Sequence, residues 1–557
     1  MREKPSTEAD TYAMNTEESN SQEPVERYLY SRRETAFTMI GVMLVLFLST
    51  LDQTIVATAT PHIIADLQGF DRIAWVSTAY LLTSTVMIPI YGKLSDLFGR
   101  KLLFLCGIMI FLAGSALSGA AQSIDQLILF RGFQGLGAGA LQPIAVAIVG
   151  DLFTPRERGR WQGLTGSMYA LAAIVGPLVG GWLTDHASWR WVFYVNIPVG
   201  IVAFLVLLFL MPVLRSREKP ASIDYPGFIL LVLGTVPLLI GFSVAGSQYA
   251  WLSPQVLALF GSAIVLLILL VVHGARWEQQ GKEPVFEPGL FKSSTRIFGV
   301  SVIVTVIFSI SLFGSAFGIP LFIQGVTGAS ATNSGLVLVP FMLTAIGGSI
   351  LAGQLISWKG KYRWIAIAGL AIAAVGTLLL VRLNVDASNT DVLIAMLVLG
   401  LGVGSGMAVY TTAVQNALPQ KIGQATSAIV FFRQLGGTIG LAAMGSVLTS
   451  SYVPAFHKAL PSALLHELPP PVLAAFDNPL ILLSPDSLAR LRGGFAAYGL
   501  QGTEIFDSIL AAVKIGLAQS LHNVFVLCLA IIIFGLIAVL FLKEIPLRTK
   551  RPLESGF

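Results

Sequence analysis

Apolar residues run through this sequence in long blocks separated by short polar or charged stretches. An apolar helix of about 20 residues is long enough to cross the hydrocarbon core of a bilayer. Blocks of this length predict membrane-spanning helices at 36–58, 73–92, 102–121, 126–149, 162–184, 191–212, 226–246, 252–273, 297–319, 333–355, 364–382, 391–413, 425–449 and 520–542. The pattern therefore predicts an all-α integral membrane protein with fourteen transmembrane helices.

Composition excludes the alternative of a large soluble core. Of the 557 residues, 55% are hydrophobic and only 12% are charged. Soluble globular proteins carry about 25% charged residues. So little charge would not cover so much apolar surface in water.

The basic residues test this arrangement because they are concentrated in alternate loops. The short loops of one side contain only Arg72, Arg190 and Arg382. The loops and tails of the other side contain Arg27, Arg32, Arg33, Lys93, Arg100, Lys101, Arg156, Arg158, Arg160, Arg215, Arg217, Lys219, Arg276, Lys282, Lys292, Arg296, Lys359, Lys361, Arg363, Lys421, Lys543, Arg548, Lys550 and Arg551. Basic loops stay in the cytoplasm, so both termini are predicted to be cytoplasmic. Basic residues placed in this way indicate membrane topology and no nucleic-acid partner.

Three segments lie outside the spans. Residues 1–34 are polar, have no apolar stretch that could act as a signal peptide, and are predicted to be a disordered cytoplasmic tail. Residues 546–557 form a second cytoplasmic tail. Residues 450–519 are too long for an ordinary extracellular loop, and 458–476 and 503–521 within them are amphipathic. These two segments either lie on the membrane surface, cap the outer mouth, or form a packed connector.

The chain contains a faint internal repeat. GKLSDLFGRK at 92–101 is echoed by GQLISWKGKY at 353–362, and GLGAG at 135–139 by GLGVG at 400–404. Both echoes occur at equivalent places, after the second span and within the fourth span of each half. They predict a six-helix half at 35–213, two extra helices and linkers at 214–296, and a second, parallel six-helix half at 297–545.

Four motifs of the first half extend this interpretation. They are GKLSDLFGRK, LDQTIVATATP at 51–61, RGFQGLGAGALQP at 131–143 and AAIVGPLVGG at 172–181. With them, nearly the whole of 36–545 resembles the fourteen-span drug:proton antiporters of the major facilitator superfamily. The resemblance implies a multidrug-type exporter of the plasma membrane.

The second motif contains the acidic residue placed deepest in a span, Asp52. A carboxylate at that depth costs about 2.5–3.5 kcal/mol on insertion scales, which usually indicates function. Asp52 is therefore a candidate for binding a proton or a cationic substrate, and a helix-packing hydrogen bond is the alternative. Arg131 is buried in the fourth span and needs acceptors, which Asp52, Gln134 or a backbone carbonyl could supply. The resemblance implies that Arg131 assists proton transfer; a structural anchor is the alternative.

The loop at 92–101 resembles the signature loop of the superfamily between spans 2 and 3. The resemblance implies a cytoplasmic gate, in which a charge cluster closes that side against the other half, formed by Gly92, Asp96, Gly99, Arg100 and Lys101. Two departures weaken it: Leu97 replaces a frequent Arg, and Ser357 replaces Asp96 in the second copy. A loop that only sets topology is the alternative.

The fifth span contains a Gly-Pro-x-x-Gly-Gly core that resembles the motif marking exporters within the superfamily. Gly176, Gly180 and Gly181 are expected to allow close helix packing, and Pro177 to permit a bend. Ala172 replaces the first Gly of the motif. An ordinary packing cluster is the alternative.

In the second half, PLFIQGVTGASATNSGLVLVP at 320–340 and RQLGGTIG at 433–440 are similar to stretches of the same group. They make Gln324 and Arg433 candidates for lining the central cavity. Aromatic and Met side chains are candidates for contacting a hydrophobic substrate, with packing as the alternative: Tyr80, Phe133, Met168 and Tyr169.

No phosphate-binding loop, catalytic cluster or metal-binding pattern is visible in the sequence, so neither an enzyme nor a cofactor is predicted. The expected mechanism is alternating access by a monomer, with a small-molecule substrate, protons and the lipid bilayer as partners. One charge crossing about 100 mV supplies about 2.3 kcal/mol, enough for roughly a fiftyfold substrate gradient. An importer or facilitator for a metabolite, and a non-transporting sensor on the same fold, are the alternatives.

Overall fold

A computed structural model describes residues 31–67, 73–213, 223–246, 248–292, 296–327, 331–462, 464, 469, 472–473, 476–477, 485–496 and 499–547. The helices of the first half are α1 (Arg32–Leu67), α2 (Ile73–Phe98), α3 (Arg100–Gly119), α4 (Ile124–Leu152), α5 (Pro155–His186), α6 (Trp191–Tyr194) and α7 (Asn196–Leu210). Those between the halves are α8 (Tyr225–Val244), α9 (Pro254–Gln279) and the short α10 (Gly289–Lys292). The second half contains α11 (Arg296–Leu321), α12 (Ala331–Lys359), α13 (Arg363–Val381), α14 (Asn389–Ala417), α15 (Ile422–Ala459), α16 (Pro485–Ala496) and α17 (Gly499–Leu540).

Each predicted span coincides with a helix or, for 191–212, with the consecutive helices α6 and α7. Within the described residues, thirteen helical stretches are long and apolar enough to cross a membrane. Helix α2 is not among the thirteen, although its 26 residues exceed the length that a crossing requires. Its last two turns contain Lys93 and Asp96, and both take part in ion pairs. With α2, the fourteen predicted helices are accounted for.

Local sequence explains where several helices begin. Ser31 and Glu34 cap each other's backbone N–H groups at the start of α1. Thr154 and Glu157 form the same capping box ahead of α5, with Pro155 in the first turn. Such caps satisfy N–H groups that have no partner within the helix. The cap of α1 lies inside the range 1–34 that was predicted to be disordered, so helix begins slightly before the expected boundary.

Two separate hydrophobic cores underlie the two halves. Buried residues between Met39 and Met211 form the cores of the first half. A larger core, from Ile297 to Leu542, is drawn entirely from the second half. Helix α8 packs against α9 and also contacts α2 and α15. Large apolar side chains of α9 such as Val265 and Ile268 are exposed, as expected for a surface in contact with lipid.

The segment 450–519 is mainly helical where the structure describes it. Helix α15 continues to Ala459, and α17 begins at Gly499 and runs unbroken into the last span. The amphipathic segment 503–521 is therefore the first half of a 42-residue helix and not a separate element. Most of 465–484, and the tails 1–30 and 548–557, lie outside the described residues.

The ends of several helices meet at one face, which we call the basic face. It comprises residues 93–101, 151–160, 283–287, 357–363, 418–424 and 541–547. The segment after α17 is fixed there by Tyr362, whose hydroxyl donates to the carbonyl of Lys543 at 2.8 Å and accepts from Ile545 N–H at 3.0 Å. These segments contain eleven of the basic residues that the sequence assigns to the cytoplasmic side and none of the three that it assigns to the other side. This face therefore corresponds to the predicted cytoplasmic side.

Candidate functional site

A wholly buried carboxylate, Asp52 of α1, is the centre of a polar cluster inside the first half. Its Oδ2 accepts a charged hydrogen bond from Nη1 of Arg131 at 2.7 Å. Its Oδ1 accepts from the amides of Gln134 at 2.9 Å and Asn196 at 2.8 Å. Asp52, Arg131 and Gln134 thus contact one another directly, and both acceptor side chains that the sequence suggested for Arg131 bind it.

The guanidinium of Arg131 is held from several directions. Nη1 also donates to Oε1 of Gln134 at 2.7 Å. The guanidinium lies 4.1 Å from the centre of the Tyr80 ring and 5.7 Å from that of Phe193, which adds cation–π attraction. Removing one member of a buried ion pair typically costs about 3–5 kcal/mol, because the other charge is left uncompensated. Removing either charged side chain is therefore expected to destabilise the first half.

Two members of the cluster, Asn196 and Ser115, were not predicted from the sequence. Nδ2 of Asn196 donates to Ser115 Oγ at 3.0 Å as well as to Asp52. Ser115 Oγ donates to the carbonyl of Phe193 at 2.9 Å, beside the break between α6 and α7. An Asn inside an apolar span was the available signal, because an unsatisfied amide is costly there.

A second carboxylate of α1, Asp66, lies beyond the predicted span 36–58 and is exposed. Its Oδ2 accepts from Nε1 of Trp189 at 2.9 Å and from Nη1 of Arg190 at 2.8 Å. The hydrogen bond from Trp189, and to a smaller extent that from Arg190, holds the pKa of Asp66 below its usual range. Asp66 therefore remains charged at neutral and mildly acidic pH, in contrast to what a proton-carrying group requires.

At the basic face, Arg100 of α3 pairs with two carboxylates of the first half, one of which contacts the second half. Its Nη2 lies 2.5 Å from Oδ1 of Asp96, and its Nε lies 2.8 Å from Oδ2 of Asp151. Oδ2 of Asp96 accepts the backbone N–H of Gln424 at 3.0 Å, in the first turn of α15. A carboxylate is stabilised at a helix N-terminus by the helix dipole and by free N–H groups. Asp96 therefore connects the first half to the second half.

The other predicted gate residues have different partners. Gly99, between α2 and α3, has φ 91°, a value that favours glycine. A Cβ on Gly92 would collide with the side chain of Ser427, so α2 and α15 are in close contact there. Lys101 does not join the charge cluster: its Nζ donates to the carbonyl of Met211 at 2.6 Å, at the end of α7. The place of Lys101 in the gate stays a prediction.

A second set of buried charges at this face was not anticipated. Nζ of Lys93 lies 2.8 Å from Glu283 Oε2 and 3.7 Å from Glu287 Oε1, and Glu287 also pairs with Lys421. We call Lys93, Glu283, Glu287 and Lys421 the linker clasp. It joins the first half to the second half through the linker that follows α9. The sequence indicated only a topological role for the two lysines, because the partners of a loop charge cannot be predicted from its position in the chain.

Asp224, just before α8, binds both α9 and the linker that follows it. Its Oδ1 lies 2.7 Å from Nε2 of His273 on α9, and its Oδ2 accepts the Val285 N–H at 3.1 Å. The amide of Gln424 donates to the Pro284 carbonyl at 3.4 Å. The two extra helices are thereby attached to the same place at which Asp96 meets α15.

The sequence matches the Major Facilitator Superfamily over residues 42–441. The chain belongs to this superfamily. It is 38% identical over 527 residues to the multidrug transporter protein MdtP of Bacillus subtilis, covering 92% of this chain and 93% of that protein. It is 33% identical over 530 residues to multidrug resistance protein 3 of the same organism, covering 92% and 96%. Membership makes the chain a multi-pass membrane transporter for a small molecule and not an enzyme.

Solved structures agree on the fold. The human organic anion transporter MFSD10 (TETRAN) aligns with a TM-score of 0.54 over 89% of this chain and 99% of its own, at 14% identity. A bacterial homologue of the human lysosomal transporter Spinster, in an inward-facing conformation, aligns with a TM-score of 0.54 at 17% identity, covering 92% and 98%. At these identities the likeness shows the major facilitator fold alone.

In this superfamily fold, the predicted residues of α5 lie between α1 and the second half. A Cβ on Gly176 would collide with Thr54, whose Oγ1 donates to the Ala172 carbonyl at 3.1 Å. Gly180 is buried and its carbonyl accepts from Thr184, whereas a Cβ added to Gly181 would meet no described atom within 4 Å. Close packing is therefore observed at Gly176, and not at Gly181 among the described atoms.

The predicted cavity residues of the second half are separate from the Asp52 cluster. The guanidinium of Arg433, on α15, lies 5.7 Å from the centre of the Tyr169 ring on α5. Gln324 lies in the π-helical segment Phe322–Val326 that follows α11. Arg433 thus faces the first half, whereas nothing in the described contacts joins Gln324 to Asp52 or Arg131.

Close contacts between the two halves occur at the basic face. A Cβ on Gly353 would collide with the Gly159 carbonyl, and a Cβ on Gly163 would lie 2.8 Å from the Ser349 carbonyl oxygen. Nε of Arg156 donates to the carbonyl of Ser357 at 2.6 Å. Together with the contacts of Asp96 and Gly92 already described, these leave little space between the halves on this side. The structure therefore has its basic face closed.

Proposed function

We propose that this protein is a proton-coupled exporter of lipophilic or cationic small molecules, working by alternating access in the plasma membrane. The observation that carries the proposal is the buried Asp52, neutralised by Arg131 and hydrogen-bonded by two amides. The names of the two Bacillus relatives, which describe multidrug transport and resistance, support drug-like substrates. In this proposal both termini lie in the cytoplasm. A monomer is supported because every residue that contacts Asp52 in the buried cluster belongs to the same chain.

The contacts of Asp52 suggest how a proton changes the cluster. Protonation removes the charge that Arg131 neutralises, and Arg131 keeps Gln134 and the Tyr80 ring as partners. A protonated Asp52 becomes a hydrogen-bond donor. Asn196 offers an acceptor, because its Oδ1 has no partner among the described atoms. Rotation of the Asn196 amide would present that oxygen to Asp52, so the same residues serve both protonation states.

The closed basic face indicates which state of the transport cycle this structure represents. With Asp96 against α15 and the linker clasp formed, the basic face is closed, and we assign this arrangement to the state closed to the cytoplasm. In an alternating-access cycle that state opens to the outside. In that state an external proton reaches Asp52 and substrate leaves. Opening toward the cytoplasm requires that the Asp96–Gln424 contact and the linker clasp separate.

Transport in proteoliposomes tests the proposal. With the membrane potential clamped, ethidium is followed across a pH gradient; its permanent charge prevents passive trapping as a weak base. We expect uphill movement into the acidic compartment by the parent, and at least a tenfold loss for Asp52→Asn. Downhill movement by the variant shows that it is folded.

Asp66→Asn is the matched control, since it removes a carboxylate from the same helix outside the buried cluster. It should retain uphill movement. If Asp52→Asn accumulates ethidium as well as the parent does, Asp52 has no coupling role. If the parent moves ethidium only down its gradient, the protein is a facilitator.

A further inference from the structure

The second copy of the signature loop also contains a glycine at positive φ, but it has a different set of charges. Gly360 has φ 64° where Gly99 has φ 91°, and both glycines separate two long helices. Ser357 stands where the first loop has Asp96. In the register of the GLGAG and GLGVG echoes, Asn416 stands where α4 has Asp151. Lys361 replaces Arg100 and therefore lacks both carboxylates that neutralise Arg100.

An open cleft of about 460 Å³ lies beside this second loop. Its cationic walls are Arg156 from the first half and Lys359 and Lys361 from the second half. Neither lysine is within ion-pair distance of a carboxylate in the described part of the chain. Arg156 is held beside the cleft by hydrogen bonds from Nε to Ser357 O at 2.6 Å and from Nη2 to Trp358 O at 3.2 Å.

The cleft contains one carboxylate, Glu544, which is already engaged. Its Oε1 accepts the backbone N–H of Tyr362 at 2.9 Å. Three cations therefore face one acid whose hydrogen bonding is partly satisfied by the loop itself. The local excess of positive charge attracts an anion, and the cleft is large enough to hold a phosphodiester.

Two tryptophans place this cleft at the level of lipid headgroups. Trp358 lines it and Trp364 begins α13 nearby, and each is 71% exposed. Tryptophan is enriched where a helix passes from hydrocarbon to headgroups, because its ring is amphipathic. Basic pockets between helices at the cytoplasmic surface bind anionic headgroups.

We propose that this cleft binds the phosphodiester of an anionic phospholipid from the cytoplasmic leaflet. The phosphate contacts Lys359 and Lys361 of one half and Arg156 of the other. It therefore supplies from the membrane the negative charge that Asp96 and Asp151 supply to Arg100. The lipid stabilises the state with the basic face closed, because opening draws Arg156 away from the two lysines. Only the cytoplasmic assignment of this face rests on the proposed function.

Native mass spectrometry of the detergent-purified protein tests the inference with phosphatidylglycerol and phosphatidylcholine. The parent should retain phosphatidylglycerol in preference to phosphatidylcholine. Lys359→Gln with Lys361→Gln should weaken phosphatidylglycerol binding about thirtyfold, since each basic residue near a membrane surface contributes about 1 kcal/mol. Replacing both lysines with Arg should restore binding. Lys458→Gln with Lys514→Gln, the same charge change away from this face, should leave it unaltered.

Equal phosphatidylglycerol binding by the glutamine double variant and the parent would overturn the site. A second experiment tests for a soluble ligand by comparing the melting temperature in millimolar inorganic phosphate and in phosphatidylglycerol. If phosphate raises the melting temperature as much as the lipid does, and the effect requires the same lysines, the assignment to lipid is wrong. Lipid retention is measured without transport, so an absence of export would refute the proposed function and leave this result intact.

Discussion

The two signature loops occupy equivalent places in the two halves and neutralise their charges in different ways. In the first loop, Arg100 lies between Asp96 and Asp151 and is almost fully buried. In the second, Lys361 follows a glycine of similar conformation but has Ser357 and Asn416 at the matching positions. Both loops contain a glycine at positive φ, whereas only the first loop has two carboxylates that neutralise its basic residue. The predictions below test that asymmetry.

The largest effect is expected from Asp96→Ser, which gives the first loop the residue of the second. Arg100 loses one carboxylate and α15 loses the acceptor at its N-terminus. The Asp96–Arg100 pair lies within the first half and persists on opening, so only the Asp96–Gln424 contact favours the closed state. A hydrogen bond to a charged group contributes about 1.5–3 kcal/mol, so the closed state should be depleted by about tenfold or more. Spin-label distances between Arg160 and Trp364 positions, in a Cys106→Ser, Cys528→Ser background, report the opening. Ser357→Ala is the control, and an equal shift in it would contradict the asymmetry.

Glu287→Gln should have the next largest effect, because it removes the shared partner of Lys93 and Lys421 in the linker clasp. A double-mutant cycle with Lys93→Gln should give a coupling energy of about 0.5–3 kcal/mol in denaturant unfolding. Glu283→Gln, whose side chain is more exposed, should give a smaller coupling with Lys93. Additive effects of Glu287→Gln and Lys93→Gln would show that the clasp contributes nothing.

Gly99→Ala and Gly360→Ala test whether both loops need the same turn. Non-glycine residues are strained at positive φ, by about 1–3 kcal/mol in glycine-only regions and about 1–2 kcal/mol in the left-handed helical region. Both variants should therefore melt at lower temperature, Gly99→Ala the more so. Gly261→Ala is the control: it lies in α9 with open space around it, and should be neutral or slightly stabilising. An unchanged melting temperature for both loop variants would refute the shared turn.

The smallest effect is expected from Ser357→Asp, which restores an acid to the second loop. A carboxylate beside Lys361 should compete with lipid phosphate and weaken phosphatidylglycerol retention several-fold. An exposed ion pair contributes only about 0–1 kcal/mol, so stability should barely change. Native mass spectrometry against Ser357→Asn separates the charge from the side-chain size. Equal retention by both variants would show that the charge deficit does not attract the lipid.

The sequence predicted those features that are expressed along the chain. Apolar block length and loop charge predicted all fourteen helices, and α17 differs only because an amphipathic segment joins the last span without a break. Asp52, Arg131 and Gln134 were recognisable because polar residues inside an apolar span are costly. The need of a buried guanidinium for acceptors suggested Asp52 and Gln134 as partners of Arg131, and the packing of α1 against α4 brings them together.

The partners of loop charges could not be predicted in the same way. In the sequence, Lys93, Lys421, Glu283 and Glu287 are ordinary charged residues at or beyond the ends of spans. Only the tertiary path of the linker brings them together. Asn196 is a polar residue within an apolar span of the sequence. Its partners depend on the break between α6 and α7, which lies beside Ser115. Lys101 was grouped with Arg100 by adjacency, whereas consecutive residues of a helix point in different directions.

The central claim is that Asp52 exchanges a proton for substrate, and proton release on ethidium binding tests it most directly. Purified protein in weakly buffered detergent is titrated with ethidium while a pH-sensitive dye reports released protons. Linkage predicts release of up to about one proton per protein by the parent and none by Asp52→Asn, with Asp66→Asn resembling the parent. Equal proton release by Asp52→Asn and the parent, at saturating ethidium, would contradict the account.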